Sequence, residues 1–189
     1  MSNTKFVSVD LEMANNNLES VCQLGVVVFD NFEVVHQWES LVNPQEPFGY
    51  YQTQVHGLKA EDVANAPTME ELKTTLIELL EGNVVCSYGW NDYHALRGNF
   101  KLPSCTWIDV SRVVRTVLLG NKKGVKSNLR DVCANHNIAF PNHHNALADA
   151  MAAGNVLNHM MKSRASDLND MLKFSKKMVG EEHIQDALF

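Results

Sequence analysis

No stretch of the 189 residues approaches the roughly 18 consecutive apolar positions that a membrane-spanning helix needs, which excludes a spanning segment and a membrane partner. The opening Met1-Ser2-Asn3-Thr4-Lys5 leads to no apolar signal region, so a cytoplasmic protein is expected. Cysteine is sparse and scattered: Cys22, Cys86, Cys105 and Cys133 form no C-x-x-C pair and no zinc-like grouping. Three of them lie in apolar stretches, where a reduced thiol packs as a small hydrophobe. Repeats are missing, and the only low-complexity run is the Asn15-Asn16-Asn17 triplet. Also lacking is a basic excess: the formal charge is −6, which argues at first against a phosphate-rich partner. Its distribution tempers that, because positions 111–130 hold Arg112, Arg115, Lys122, Lys123, Lys126 and Arg130 and no acid. That patch fits a phosphate track or a solvated helix face and loop equally well.

What is present suits one soluble globular domain, read as residues 1–178 with a short tail at 179–189. The organising stretch is Phe6-Val7-Ser8-Val9-Asp10-Leu11-Glu12. Side chains alternate across a strand, so Phe6, Ser8, Asp10 and Glu12 share one face and Val7, Val9 and Leu11 the other. Two carboxylates side by side repel unless a cation sits between them or water screens them, which leaves a metal site and a solvated edge strand as the two readings.

Residues 21–29 are dense in β-branched side chains and form a second strand; Asp30-Asn31 turns the chain into a third over 32–42. Past Pro44 and Pro47, the region through His56-Gly57 is a loop or short helix, with His56 either a turn residue or lining a site. Pro67-Thr68 with Glu70 and Glu71 opens a helix whose apolar stripe is Leu72, Leu76, Leu79 and Leu80. Residues 83–87 make a buried strand, parallel because it follows a helix. Asp92 comes directly behind it, as helix N-cap or as a site group. A fifth strand over 105–109, a helix over 110–119 and a helix capped by Ser127 or Asn128 follow. The total is an α/β layered domain with a mixed sheet.

Near the end, Phe140-Pro141-Asn142-His143-His144-Asn145 leads into a helix starting at Ala146. From Asp149 the positions at helical spacing are Ala152, Ala153, Val156, Leu157 and Met160, all apolar, so its carboxylate sits on the core-facing stripe. A charge there must be hydrogen-bonded, paired or metal-bound. His144 belongs to the preceding loop, with Asn145 as cap, where its ring can swing over whatever Asp149 holds.

Together, Asp10-x-Glu12, Asp92 and His144-x4-Asp149, in this order on strand, strand end and helix, resemble the DEDDh branch of the DnaQ-like 3′–5′ exonucleases. Gln23-Leu24-Gly25-Val26, Val55-His56-Gly57-Leu58, Ala66-Pro67-Thr68 and His144-Asn145-Ala146-Leu147-Ala148-Asp149-Ala150 are similar to the same family, and the likeness runs over most of residues 4–162. The resemblance implies a ribonuclease H-like fold, a five-stranded mixed β-sheet flanked by α-helices. It implies that Asp10, Glu12, Asp92 and Asp149 hold two divalent cations, Mg2+ or Mn2+, with His144 as general base. Single-stranded 3′ ends would be the substrate, with Met13 and His56 against the terminal nucleotide, and nucleoside 5′-monophosphates the product.

The chain departs from the family pattern in two places. Met13 stands where a threonine is common, and Ser87-Tyr88-Gly89-Trp90-Asn91-Asp92 replaces His-Asn-x-x-Phe-Asp. An aromatic-Gly pair at that place marks a branch with members that act on RNA, so DNA and RNA both stand as substrates. A binding module that keeps the fold without catalysis is the alternative from another class. Finally, Gln185-x-x-Leu188-Phe189 resembles the peptide by which bacterial replication proteins dock on the sliding clamp; the other reading folds it back on the core.

Overall fold

The computed structural model describes residues 4–121 and 126–176. The proposed clamp peptide, the boundary at 178, and Lys122 and Lys123 of the basic stretch lie outside those residues. The chain opens with β1 (Phe6–Met13), β2 (Val21–Asp30) and β3 (Glu33–Leu41), paired antiparallel in sequence order. Their alternating branched residues supply the strand period, and Asn31 (φ 49) and Phe32 (φ 68) supply the two left-handed positions of a tight hairpin. The turn therefore falls one residue later than Asp30-Asn31. Phe32 tolerates this because its ring lies under the Lys162 amine at 5.0 Å and its carbonyl accepts from Asn158 Nδ2 at 3.2 Å.

Three helices, α1 (Tyr50–His56), α2 (Ala60–Val63) and α3 (Met69–Leu80), cross to β4 (Val84–Ser87). Thr68 starts α3 with a capping box: its N–H donates to Glu71 Oε2 at 2.7 Å, and its hydroxyl accepts from the Glu71 N–H. The chain continues through α4 (Asn91–Asn99), β5 (Thr106–Asp109), α5 (Val110–Val117), α6 (Leu129–Asn135), α7 (Ala146–Arg164) and α8 (Leu168–Lys176). The sheet order is β3-β2-β1-β4-β5, with β4 parallel to both β1 and β5. This is the expected α/β fold, three antiparallel strands extended by two parallel ones.

The strand period divides the core. Phe6, Val27, Phe29 and Ile108 pack against Val113, Val156, Leu157 and Met160 on one side of the sheet, and Val7, Val9, Leu11 and Val26 against Leu76, Leu80 and Leu96 on the other. Among the described residues no helix is long and apolar enough to cross a membrane. All four cysteines are free, and burial pushes their thiols up to about 11 or 12, so they pack as uncharged groups.

One feature of this sheet positions the site. Pairing of β1 with β4 stops at Ser8 and Cys86, yet β1 runs on to Met13. The last residues of β1 therefore lie at the carboxyl ends of the parallel strands, where α/β sheets bind ligands.

Candidate active site

The end of β1 carries Asp10 and Glu12 on the same face, as the alternation requires. Asp92 enters from α4. It is the second residue of that helix and not its cap: Trp90 holds the cap position without a side-chain bond, and Asp92 Oδ1 accepts the Leu11 N–H at 3.0 Å. The N-cap reading is thereby corrected, because the backbone donor that β4 leaves unpaired draws this carboxylate toward β1 instead.

Asp149 enters from α7, whose first turn is fixed three times over. Asn145 caps it by accepting the Ala148 N–H at 3.1 Å, and Gln23 Oε1 on β2 accepts the Ala146 N–H at 3.2 Å. The third contact is steric: Gly25 of β2 lies so close to the Ala146 and Leu147 backbone that a Cβ at this position would collide with it.

Asp10, Glu12 and Asp149 each bring a carboxylate oxygen within 4.8 Å of the other two. Burial, followed by the charges of Asp92, Asp149 and Glu12, raises Asp10 well above the ordinary carboxylate range. Glu12 is pushed up to about 7 by burial and then by Asp149 and Asp92. Asp92 also rises to about 7 through burial, against the pull of its bond from Leu11, and Asp149 rises to about 6 through burial, against the bond from His144. Carboxylates gathered at this cost fit a hard divalent cation: the donors are all oxygen, and a positive ion would relieve both the burial and the mutual repulsion.

His144 lies at the rim in the left-handed region (φ 68), and its N–H donates to Asp149 Oδ1 at 3.2 Å. Beside it stands a group that sequence reasoning passed over. His143 Nδ1 is 3.6 Å from Asp149 Oδ2, and its ring lies between Phe140 (5.0 Å, 28°) and His144 (3.7 Å, 34°). Nothing in the local pattern marks His143, since the stack depends on a loop bend. Partial burial lowers both imidazoles below their ordinary value, aided at His143 by His144 and then Arg130 and at His144 by Arg130, which favours the neutral ring.

The other expected residues sort less evenly. His56 Nε2 faces the Met13 carbonyl at 3.2 Å and its Nδ1 accepts the Leu58 N–H at 3.0 Å, so both nitrogens are committed to bracing the rim next to Glu12. Met13 is half-buried at the end of β1. The basic stretch divides: Arg112 Nε is paired with the buried Asp109 Oδ2 at 3.1 Å, where Asp109 caps α5, while Arg130 carries its charge toward the two histidines. Arg112 thus spends its Nε donor inside its own helix turn.

The exonuclease family model RNase_T matches residues 7–157. The chain is 24% identical over 129 residues to 3′-5′ exonuclease DinG of Bacillus subtilis, which covers 64% of this chain and 14% of DinG. It is 26% identical over 98 residues to RNA exonuclease 4 of Aspergillus fumigatus, covering 49% of this chain and 31% of that protein. It thus spans less than a third of the length of either relative. The solved structure of exonuclease X in complex with 5′ overhanging duplex DNA shares the fold, with a TM-score of 0.75 at 15% identity over 90% of this chain and 99% of that one.

Proposed function

The chain belongs to the RNase_T exonuclease family, and from that membership we propose that it is a divalent-metal-dependent 3′–5′ exonuclease, trimming single-stranded ends, DNA foremost, to nucleoside 5′-monophosphates. The observation that carries this reading is the meeting of Asp10, Glu12 and Asp149 oxygens within 4.8 Å of one another, with His144 bonded to the last of them. Asp10, Glu12, Asp92 and Asp149 would hold two cations, Mg2+ or Mn2+. When bound, those ions supply charge for a phosphodiester in-line displacement, activating the attacking water and stabilising the departing 3′ oxygen.

The chain's own residues supply the rest. A ring nitrogen of His144 takes the proton of the attacking water, and burial and the Arg130 charge, by lowering its pKa, favour the neutral form that can accept it. The bond from the His144 N–H to Asp149 fixes the loop bearing this base against the carboxylate floor. Met13 and His56, at the β1 end, border the terminal nucleotide, with His56 holding the Met13 backbone in place.

An RNA-trimming role is the second reading, favoured by the Tyr88-Gly89 pair ahead of Asp92 and by the partial likeness to RNA exonuclease 4. One gel tests both: end-labelled DNA and RNA of matched sequence, digested with Mg2+ beside an Asp10→Ala control. Stepwise loss from the 3′ end, abolished by the substitution with circular dichroism unchanged, is the expected result. Binding without cleavage overturns the enzymatic reading in favour of a binding module. Outside the described residues, Gln185, Leu188 and Phe189 are proposed to dock on a sliding clamp; a pull-down that survives Leu188→Ala/Phe189→Ala overturns that role.

A further inference from the structure

Resting on the nuclease reading above, we propose that Tyr50 and Tyr51 on α1 form a stacking platform for bases of the single strand a few nucleotides upstream of the bond being cut. Among the described residues four large apolar side chains stand exposed, and three of them are Tyr50 (73%), Tyr51 (79%) and Val55 on this one short helix. The two phenol rings meet edge to face at 5.8 Å and 76°, which leaves broad ring surface turned to water. Exposed aromatics grouped this way mark a contact surface.

The position of α1 points to what covers it. None of its residues is buried; polar bonds hold it instead to the segment leaving the carboxylate end of β1. The Gly49 N–H donates to the Ala14 carbonyl at 2.7 Å, Gln52 Nε2 to Asn16 Oδ1 at 2.6 Å, and His56 Nε2 faces the Met13 carbonyl. The helix is thus a rim laid along residues 13–16, the stretch that directly follows Glu12. Its length, about 9 Å from Tyr50 to His56 at the helical rise, matches two to three stacked nucleotides at roughly 3.4 Å each.

Positions 47–58 contain no Asp, Glu, Lys or Arg, so the helix itself carries no formal charge with which to select phosphates or a charged peptide. Base faces are uncharged, π-rich and available on any single strand, and aromatic rings bind them without regard to sequence. The occupant is therefore the substrate's own upstream bases, held while the 3′ end lies at the carboxylates.

The test is binding and turnover of the full chain on a fluorescent dodecathymidylate, with a dinucleotide as the short control and an oligouridylate as the RNA arm. Binding is read by anisotropy in EDTA, so that it is measured whether or not cleavage occurs. Tyr50→Ala/Tyr51→Ala is expected to weaken twelve-nucleotide binding and raise its KM by at least about 5- to 100-fold, the range that one lost stack gives. The kcat should stay within about twofold and the dinucleotide KM should hold, while Tyr50→Phe/Tyr51→Phe, which keeps the rings, restores wild-type binding. A shift in one arm alone supports the platform and assigns its sugar. Unchanged twelve-nucleotide affinity in the alanine variant overturns the inference and leaves the tyrosines to a protein partner. Failure of the wild type to cleave any oligomer it binds sinks the nuclease reading instead, so the two failures are distinguishable.

Discussion

The floor and the rim of the site are built by different rules. Asp10 and Glu12 sit on a strand, and Asp92 and Asp149 on helix first turns, where backbone bonds and core packing fix them. His143 and His144 sit on a loop, held by a left-handed residue, one N–H bond and a stack of rings. Groups that must share an ion need fixed spacing, and regular elements give it. A group that hands protons about needs reach, which a loop gives.

The sharpest way to break the comparison is to remove the rim alone. His144→Ala should lower kcat by about 10²- to 10⁴-fold, the usual worth of a general base, with the fold intact. The wild-type rate should climb with pH through a midpoint below the ordinary histidine value of 6.5, because only the neutral ring accepts a proton and its pKa is lowered. A variant that keeps the same acid limb would show that another group is the base.

His143 sharpens the contrast between reach and order. His143→Ala should cost about tenfold in kcat with KM unmoved, as for groups that orient a functional neighbour. His143→Phe keeps the stack while losing the approach to Asp149, so recovery there would assign the effect to ring packing.

Gly25→Ala attacks the joint between floor and rim. The new Cβ has no space against Ala146, and overpacking of this kind costs about 1–3 kcal/mol, or roughly 2–12 °C of melting temperature. A variant as stable as wild type would mean that α7 shifts freely, and the 4.8 Å convergence would then be no fixed property of the fold.

The smallest effect is on the floor without cations. Glu12, Asp92 and Asp149 have folded-state pKa values raised to about 7, 7 and 6, so their contribution to stability is full below about pH 4 and is lost as pH rises through 6 to 7. Protein in EDTA should melt a few degrees lower at pH 8 than at pH 5.5, and Mg2+ should recover the difference mainly at pH 8. Equal melting at both pH values would deny the crowding of these carboxylates.

All five strands, the Thr68 and Asn145 caps and the core-facing Asp149 were legible in the sequence, because period and capping are written within a few residues of where they act. Contacts that span the chain were not. The sequence leaves Asp92 as a cap or a site group, and the bond from Leu11, 81 positions away, is what decides against the cap. Gln23 meets Ala146 across 123 positions, and no local pattern carries that. Gly25 did leave a signal: a glycine amid β-branched residues announces that another backbone comes close.

The bond from Leu11 to Asp92 also bears on how damage at this position should be interpreted. Leu11 lies between Asp10 and Glu12, so whatever releases its amide loosens the stretch that aims both of them. An Asp92→Ala protein therefore forfeits one acid outright and leaves two others misdirected. Its deficit should exceed that of one lost carboxylate, whereas Asp92→Asn, which still offers an oxygen to that amide, separates the lost charge from the lost alignment.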